Sequence, residues 1–126
     1  MAMVELFCHC VLPEEGIQTM KIADRAAGVI IGALVGDALG LGPHWYYDLA
    51  ELRKDYGDWI TGYTAPKPGR YHGGMKAGDL SQTGLIMVML LRSVVELGEY
   101  REQDFTLRLD RELLPYLDGT PMQGPG

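Results

Sequence analysis

Cysteine is scarce: Cys8 and Cys10 are the only two. They stand too close together for an unstrained disulfide. With His9 between them they still fall short of a tetrahedral zinc site, and no second Cys or His pair lies at a workable spacing. Two free thiols fit a reducing compartment, so the cytoplasm is expected. Basic charge is also in the minority, with 11 Lys and Arg against 17 Asp and Glu and a formal net charge of −6. A nucleic-acid binder needs a basic face to neutralise phosphates, and this composition argues against that class. There is no membrane-length apolar run either. Residues 26–42, AAGVIIGALVGDALGLG, are slightly short for a span and carry Asp37 well inside. The first twelve residues lack a basic leader and are interrupted by Glu5, so no targeting signal is expected. Finally, no stretch alternates in the manner of a β-strand.

What is present is helical. Hydrophobic residues make up 47% and charged residues 22% of 126 positions, which suits one globular domain. Residues 1–19 have no clear period and contain Pro13 and Gly16. Met20 offers an alternative start, and residues 1–19 are expected to be an extension outside a domain covering 20–126. From 21 to 39 the pattern is that of a helix. Gly28, Gly32, Gly36 and Gly40 recur every four residues and form a bare ridge. Each glycine costs about 1 kcal/mol of helix propensity against alanine. Close approach of another helix backbone is the expected compensation, with ligand contact as the alternative.

Gly42-Pro43 breaks this helix and His44-Trp45-Tyr46-Tyr47 follows. Asp48 is placed to cap a short helix ending near Tyr56. Residues 57–78 hold six glycines and two prolines and read as a long loop. Asp79 is expected to cap the next helix, with Gln82 at the third helical position. That helix, with Leu80 and residues 85–91, is apolar on almost every side, which predicts burial in a multi-helix core. Gly98 should stop it. A last helix, capped by Asp104, should present Phe105, Leu109 and Leu113 inward and end at Pro115. The fold class is therefore all-α.

Few residues carry chemistry, and each has a plain structural reading. Asp37, near the end of an apolar helix, needs hydrogen-bond donors wherever it sits. His44 alone is more often a packed histidine than a catalyst. Asp79 alone is a helix cap. The segment GRYHGGMK at 69–76 lacks both the lysine directly after its last glycine and the preceding strand of a nucleotide P-loop.

Together these residues resemble a family. GALVGDALG at 32–40 is similar to the GxxxGDALG motif of the ADP-ribosylglycohydrolase superfamily, and Gly78-Asp79-Leu80-Ser81-Gln82-Thr83 falls where catalytic members read Thr-Asp-Asp-Thr. Pro43-His44-Trp45 with Tyr47-Asp48, Tyr71-His72 and Lys76-Ala77-Gly78-Asp79 resemble a divergent branch, that of the J1-type crystallins and selenoprotein J. The resemblance runs over about 20–126 and implies an all-α bundle with ADP-ribose and a pair of magnesium ions in a central cleft. The implied parent activity is hydrolysis of the glycosidic bond between ADP-ribose and a protein side chain.

On that resemblance Asp37, His44 and Asp79 are the nearest catalytic candidates. Ser81 and Thr83 are neutral substrate contacts, and Gly124 and Gly126 begin a further ligand-binding loop. The departures are chemical. His44 stands where catalytic members carry a glutamate, and Leu80, Ser81 and Gln82 stand where they carry Thr-Asp-Asp. Magnesium needs hard anionic oxygens, so no metal ligand is assigned in this chain. The family's remaining ligands, an Asp-x-Asp motif, would lie beyond residue 126. The chain is thus expected to be an incomplete, inactive domain that folds with a missing C-terminal half or by self-association. The alternative is a non-catalytic, crystallin-like structural or ligand-binding protein. A small independent interaction module fits less well, because the glycine ridge and the apolar helix both need more protein around them.

Overall fold

The computed structural model describes residues 21–122. The expectations for 1–19, and for Gly124 and Gly126, lie outside the described residues. Within them the architecture is all-α, as the sequence pattern requires, with no strand. Helix α1 spans Ile22–Leu41, α2 Leu49–Tyr56, α3 Gln82–Leu97, α4 Glu102–Arg108 and α5 Leu114–Leu117. A π-helical stretch, Leu109–Leu113, joins α4 to α5. Helix α3 is central: α1 packs on it, and so do α4 and the π stretch. Among the described residues no helix is long and apolar enough to cross a membrane.

Local chemistry sets most of the ends. Asp48 caps α2 by accepting from the Ala50 N–H at 2.7 Å. Gly98 closes α3 in the left-handed conformation, φ 75°, and its N–H donates to the Val94 carbonyl. Three expected ends are corrected. Ser81, not Asp79, caps α3, its side chain accepting from the N–H groups of Thr83 and Gly84. A second correction concerns the last helix, which continues through Pro115 to Leu117. Leu114 N–H reaches the Leu109 carbonyl, five residues back, and this wider turn before Pro115 accommodates a ring that would clash in a regular helix. Nor does Asp104 cap α4. It faces α3 instead, accepting from the buried Ser93 hydroxyl at 2.7 Å and from Arg108 Nε at 2.6 Å.

The core is small. Leu41, Met75, Leu113, Leu117 and Met122 are buried together, with Leu85, Met89 and Leu109 packed against them. Helix α3 is less enclosed than its composition predicts: Ile86 and Val95 are exposed, and only Gly84 and Ser93 are buried on it. The glycine ridge also departs from expectation. A Cβ built at Gly28, Gly32, Gly36 or Gly40 meets no atom within 4 Å among the described residues. Gly32→Ala should therefore stabilise the chain, by up to about 1 kcal/mol of helix propensity. A drop in its thermal midpoint would contradict this and reveal a surface covering the ridge.

Between α3 and α4, Arg108 bridges Asp104 and Glu96 at 2.6 Å each. Its hydrogen bond, followed by that of Ser93, holds the Asp104 carboxyl below its usual 3.8, and Arg108 also holds Glu96 below 4.5. A carboxylate lowered in the folded state stabilises the fold above its unfolded value, and this contribution is lost as pH falls through the folded value. The groups are partly solvated, so the effect is modest. On acidification below 4.5 the thermal midpoint of the parent should fall more steeply than that of Arg108→Met. Parallel pH curves would count against the network.

Candidate functional site

The site forms where the end of α1 meets the start of α3. Asp37 lies in the last turns of α1, and its carboxylate accepts from Ser81 N–H at 2.7 Å and from the Ser81 hydroxyl at 2.5 Å. That hydroxyl is the α3 cap, so one serine oxygen joins the two helices and satisfies free amides of α3. The negative charge also sits favourably near the positive end of the α3 dipole. Such closeness requires glycine at 84, where a Cβ would come within 2.3 Å of Asp37 Oδ2 and 3.0 Å of Leu80 Cβ.

After α1 the chain turns through Gly42, whose missing side chain makes room for Thr64: a Cβ there would be 2.6 Å from the Thr64 carbonyl oxygen. The turn delivers His44 and Trp45, and the loop after α2 delivers Tyr71 and His72. Trp45 and Tyr71 stack at 4.3 Å, Tyr71 meets His72 at 4.1 Å, and the two imidazoles lie 5.2 Å apart. Together with Ser81, Gln82 and Thr83 these four residues line a cleft of about 200 Å³.

His72 is buried, only 4% exposed, and its Nδ1 has no hydrogen-bond partner. Burial, then the neighbouring His44, hold its pKa below 6.5, with the Asp37 charge acting in the opposite direction. Its neutral form is therefore favoured at neutral pH. The cleft presents stacked rings, a neutral imidazole and hydroxyl groups, a surface suited to hydrogen-bonding and stacking.

Of the residues singled out from the sequence, His44, Ser81 and Thr83 line this cleft and Asp37 stands behind Ser81. Asp79 does not join them. Its carboxylate accepts from Lys76 N–H at 2.7 Å, and it lines a separate cleft of about 240 Å³ with Met75, Leu80 and Tyr116. Ser81 takes the cap position because only it also has Asp37 as a partner, which no local pattern reveals. Sequence reasoning had no site role for Trp45, Tyr71, His72 or Gln82. The available signal was a ring-imidazole pair beside chain-breaking residues, Pro43-His44-Trp45 and Tyr71-His72-Gly73-Gly74. The Gln82 side chain also donates to the Met122 carbonyl, tying α3 to the turn after α5. Among the described residues no group of three or more His, Cys, Asp or Glu is arranged to hold a metal ion.

Comparison with known proteins adds one match and two blanks. No curated protein and no solved structure matches the chain. The family model for ADP-ribosylglycohydrolase matches residues 18–126, a span that contains the α1 motif, the aromatic cleft and the α3 cap. The chain belongs to the ADP-ribosylglycohydrolase family.

Proposed function

We propose that this chain is a binding member of its family, taking the ribose end of an ADP-ribose-like ligand in the His44–Thr83 cleft without metal-dependent hydrolysis. The observation that carries this reading is the state of Asp37, whose two carboxylate oxygens are both engaged by Ser81. It is bonded to the cleft wall at Ser81, and Ser81, Gln82 and Thr83 in that wall are neutral. Magnesium retains several waters and needs anionic oxygens to hold it. One carboxylate already committed to a helix cap, with two hydroxyls and an amide, does not fit that ion.

The same shortage limits metal-free chemistry. Glycoside cleavage passes through a cation-like state that enzymes usually support with a pair of carboxylates. Here the cleft offers the imidazoles of His44 and His72, and no carboxylate lines it to share the work. Binding asks for less. A volume of about 200 Å³ is below the usual range for a whole ligand and suits one sugar ring. Trp45, about half exposed, offers an apolar surface for it, and His44 and Thr83 offer hydrogen bonds. This reading agrees with the non-catalytic, crystallin-like branch that the sequence resembles.

The test is a release assay on ADP-ribosylated protein with magnesium or manganese, run beside calorimetric metal titration. No release and no saturable metal binding are expected. Metal-dependent release, or one-to-one metal binding that disappears in Asp79→Asn or Asp37→Asn, would overturn the reading.

A further inference from the structure

Two non-glycine residues among those described have positive φ, Trp45 at 59° and His72 at 63°, and both line the cleft. A bulky side chain in the left-handed region is unfavourable and persists only where its surroundings over-determine it. His72 packs against His44 and Tyr71, and Arg70 stands two residues earlier in the same loop. The Arg70 guanidinium contacts the Glu51 carboxylate of α2 at 2.5 Å and stacks 4.2 Å from the centre of the Tyr46 ring. Tyr46 is itself fixed, its hydroxyl donating to Asp55 at 2.5 Å. Partial burial and that hydrogen bond push the Tyr46 phenol up to about 12, so it stays a neutral donor.

Backbone bonds carry the constraint forward. Arg70 N–H donates to the Lys67 carbonyl, Gly73 N–H to the Arg70 carbonyl, and Met75 N–H to the His72 carbonyl. Further back, the Tyr56 hydroxyl lies 2.7 Å from the Gly42 carbonyl oxygen and 3.0 Å from that of Ala65, joining the turn after α1 to the loop. The two strained residues thus belong to one braced unit, and Arg70 is the side-chain link to α2 that lies nearest to Tyr71 and His72 in sequence, beyond the Tyr56 contacts with Ala65 and Lys67.

We propose that Arg70 is a positioning residue for the ligand cleft: held between Glu51 and the Tyr46 ring, it keeps Tyr71 and His72 in the conformation that forms the cleft wall. The inference rests on the reading that the cleft binds a ligand. Arginine suits the task because its planar group meets a carboxylate at its edge while its face lies on a ring, a combination lysine does not reproduce. The Arg70–Glu51 pair is partly exposed, so its worth to global stability is small. Cleft geometry and stability should therefore respond differently to its loss.

The experiment uses the full chain in a Trp59→Phe background, which leaves Trp45 as the one tryptophan reporter. In Arg70→Ala the Trp45 near-ultraviolet circular dichroism band should shrink and its emission shift as the stack with Tyr71 opens. The far-ultraviolet spectrum should be unchanged, and ADP-ribose affinity should fall about tenfold, the size of one well-placed contact. Arg70→Lys should recover only part of both signals, and Glu51→Gln should weaken them without risk to the loop backbone. An unchanged Trp45 signal in both Arg70→Ala and Glu51→Gln would overturn the proposal. If the parent binds no ADP-ribose while the Trp45 signal still responds, the ligand reading falls and the positioning role stands.

Discussion

Gly84→Ala should destabilise the chain by about 2–4 kcal/mol, although alanine is the better helix former. Two effects oppose each other. Propensity favours the variant by about 1 kcal/mol. Against it, the new Cβ would sit 2.3 Å from Asp37 Oδ2 and 2.9 Å from its Cγ, so the carboxylate must swing away. That movement breaks both bonds from Ser81, and hydrogen bonds to a charged group are worth about 1.5–3 kcal/mol each. It also leaves the Ser81 N–H and hydroxyl without their acceptor at the helix start. The loss outweighs the gain. Gly32→Ala is the matched control, with the same change in propensity and no atom within 4 Å of the added carbon. Urea unfolding of both variants decides the matter. Equal or higher stability for Gly84→Ala would mean that α1 and α3 do not meet as described.

Leu41→Ala should cost about 2–5 kcal/mol, the usual penalty for truncating a buried leucine. Leu41 is 1% exposed and shares the core with Met75, Leu113, Leu117 and Met122. The core is small, so few neighbours are free to refill the space, and the cost falls towards the upper end. A domain of this size has about 5–15 kcal/mol of stability in total. The end of α1 is anchored by Leu41 and Ala38, the only two buried residues of that helix, so the variant should also loosen the turn carrying His44. Chemical denaturation with tyrosine and tryptophan fluorescence measures both effects. A change below about 1 kcal/mol, the scale of an exposed site, would place Leu41 at the surface.

Features set by neighbours in sequence were legible. Asp48 as a cap, Gly98 as a stop and the long loop at 57–78 follow from backbone chemistry that operates over a few residues. The family motif at 32–40 was equally readable. Features decided by distant partners were not. Asp79 and Ser81 are both good caps, and the choice between them rests on Asp37, forty-four residues from Ser81. The π turn before Pro115 has no local signature, since a proline reads as a helix end until the wider turn is seen. The glycine ridge stands open among the described residues. Its bareness suggested close approach, yet the helical glycine in tight contact is Gly84, a single residue with no repeat around it. Tyr71 and His72 meet Trp45 through a loop tied back to α2 by Tyr56 and Arg70, and no spacing rule connects positions 45 and 71.

On the proposed reading, the His44–Thr83 cleft binds an ADP-ribose-like ligand by stacking and hydrogen bonds, with no need for a metal. Isothermal titration of ADP-ribose into the full chain in the presence of EDTA tests it most directly, with Trp45→Ala and Thr83→Val as cleft variants. Saturable one-to-one binding without divalent metal is expected. Each variant should weaken it about tenfold, roughly 1.4 kcal/mol. Binding that appears only when magnesium is restored, or binding unaffected by both substitutions, would contradict the claim.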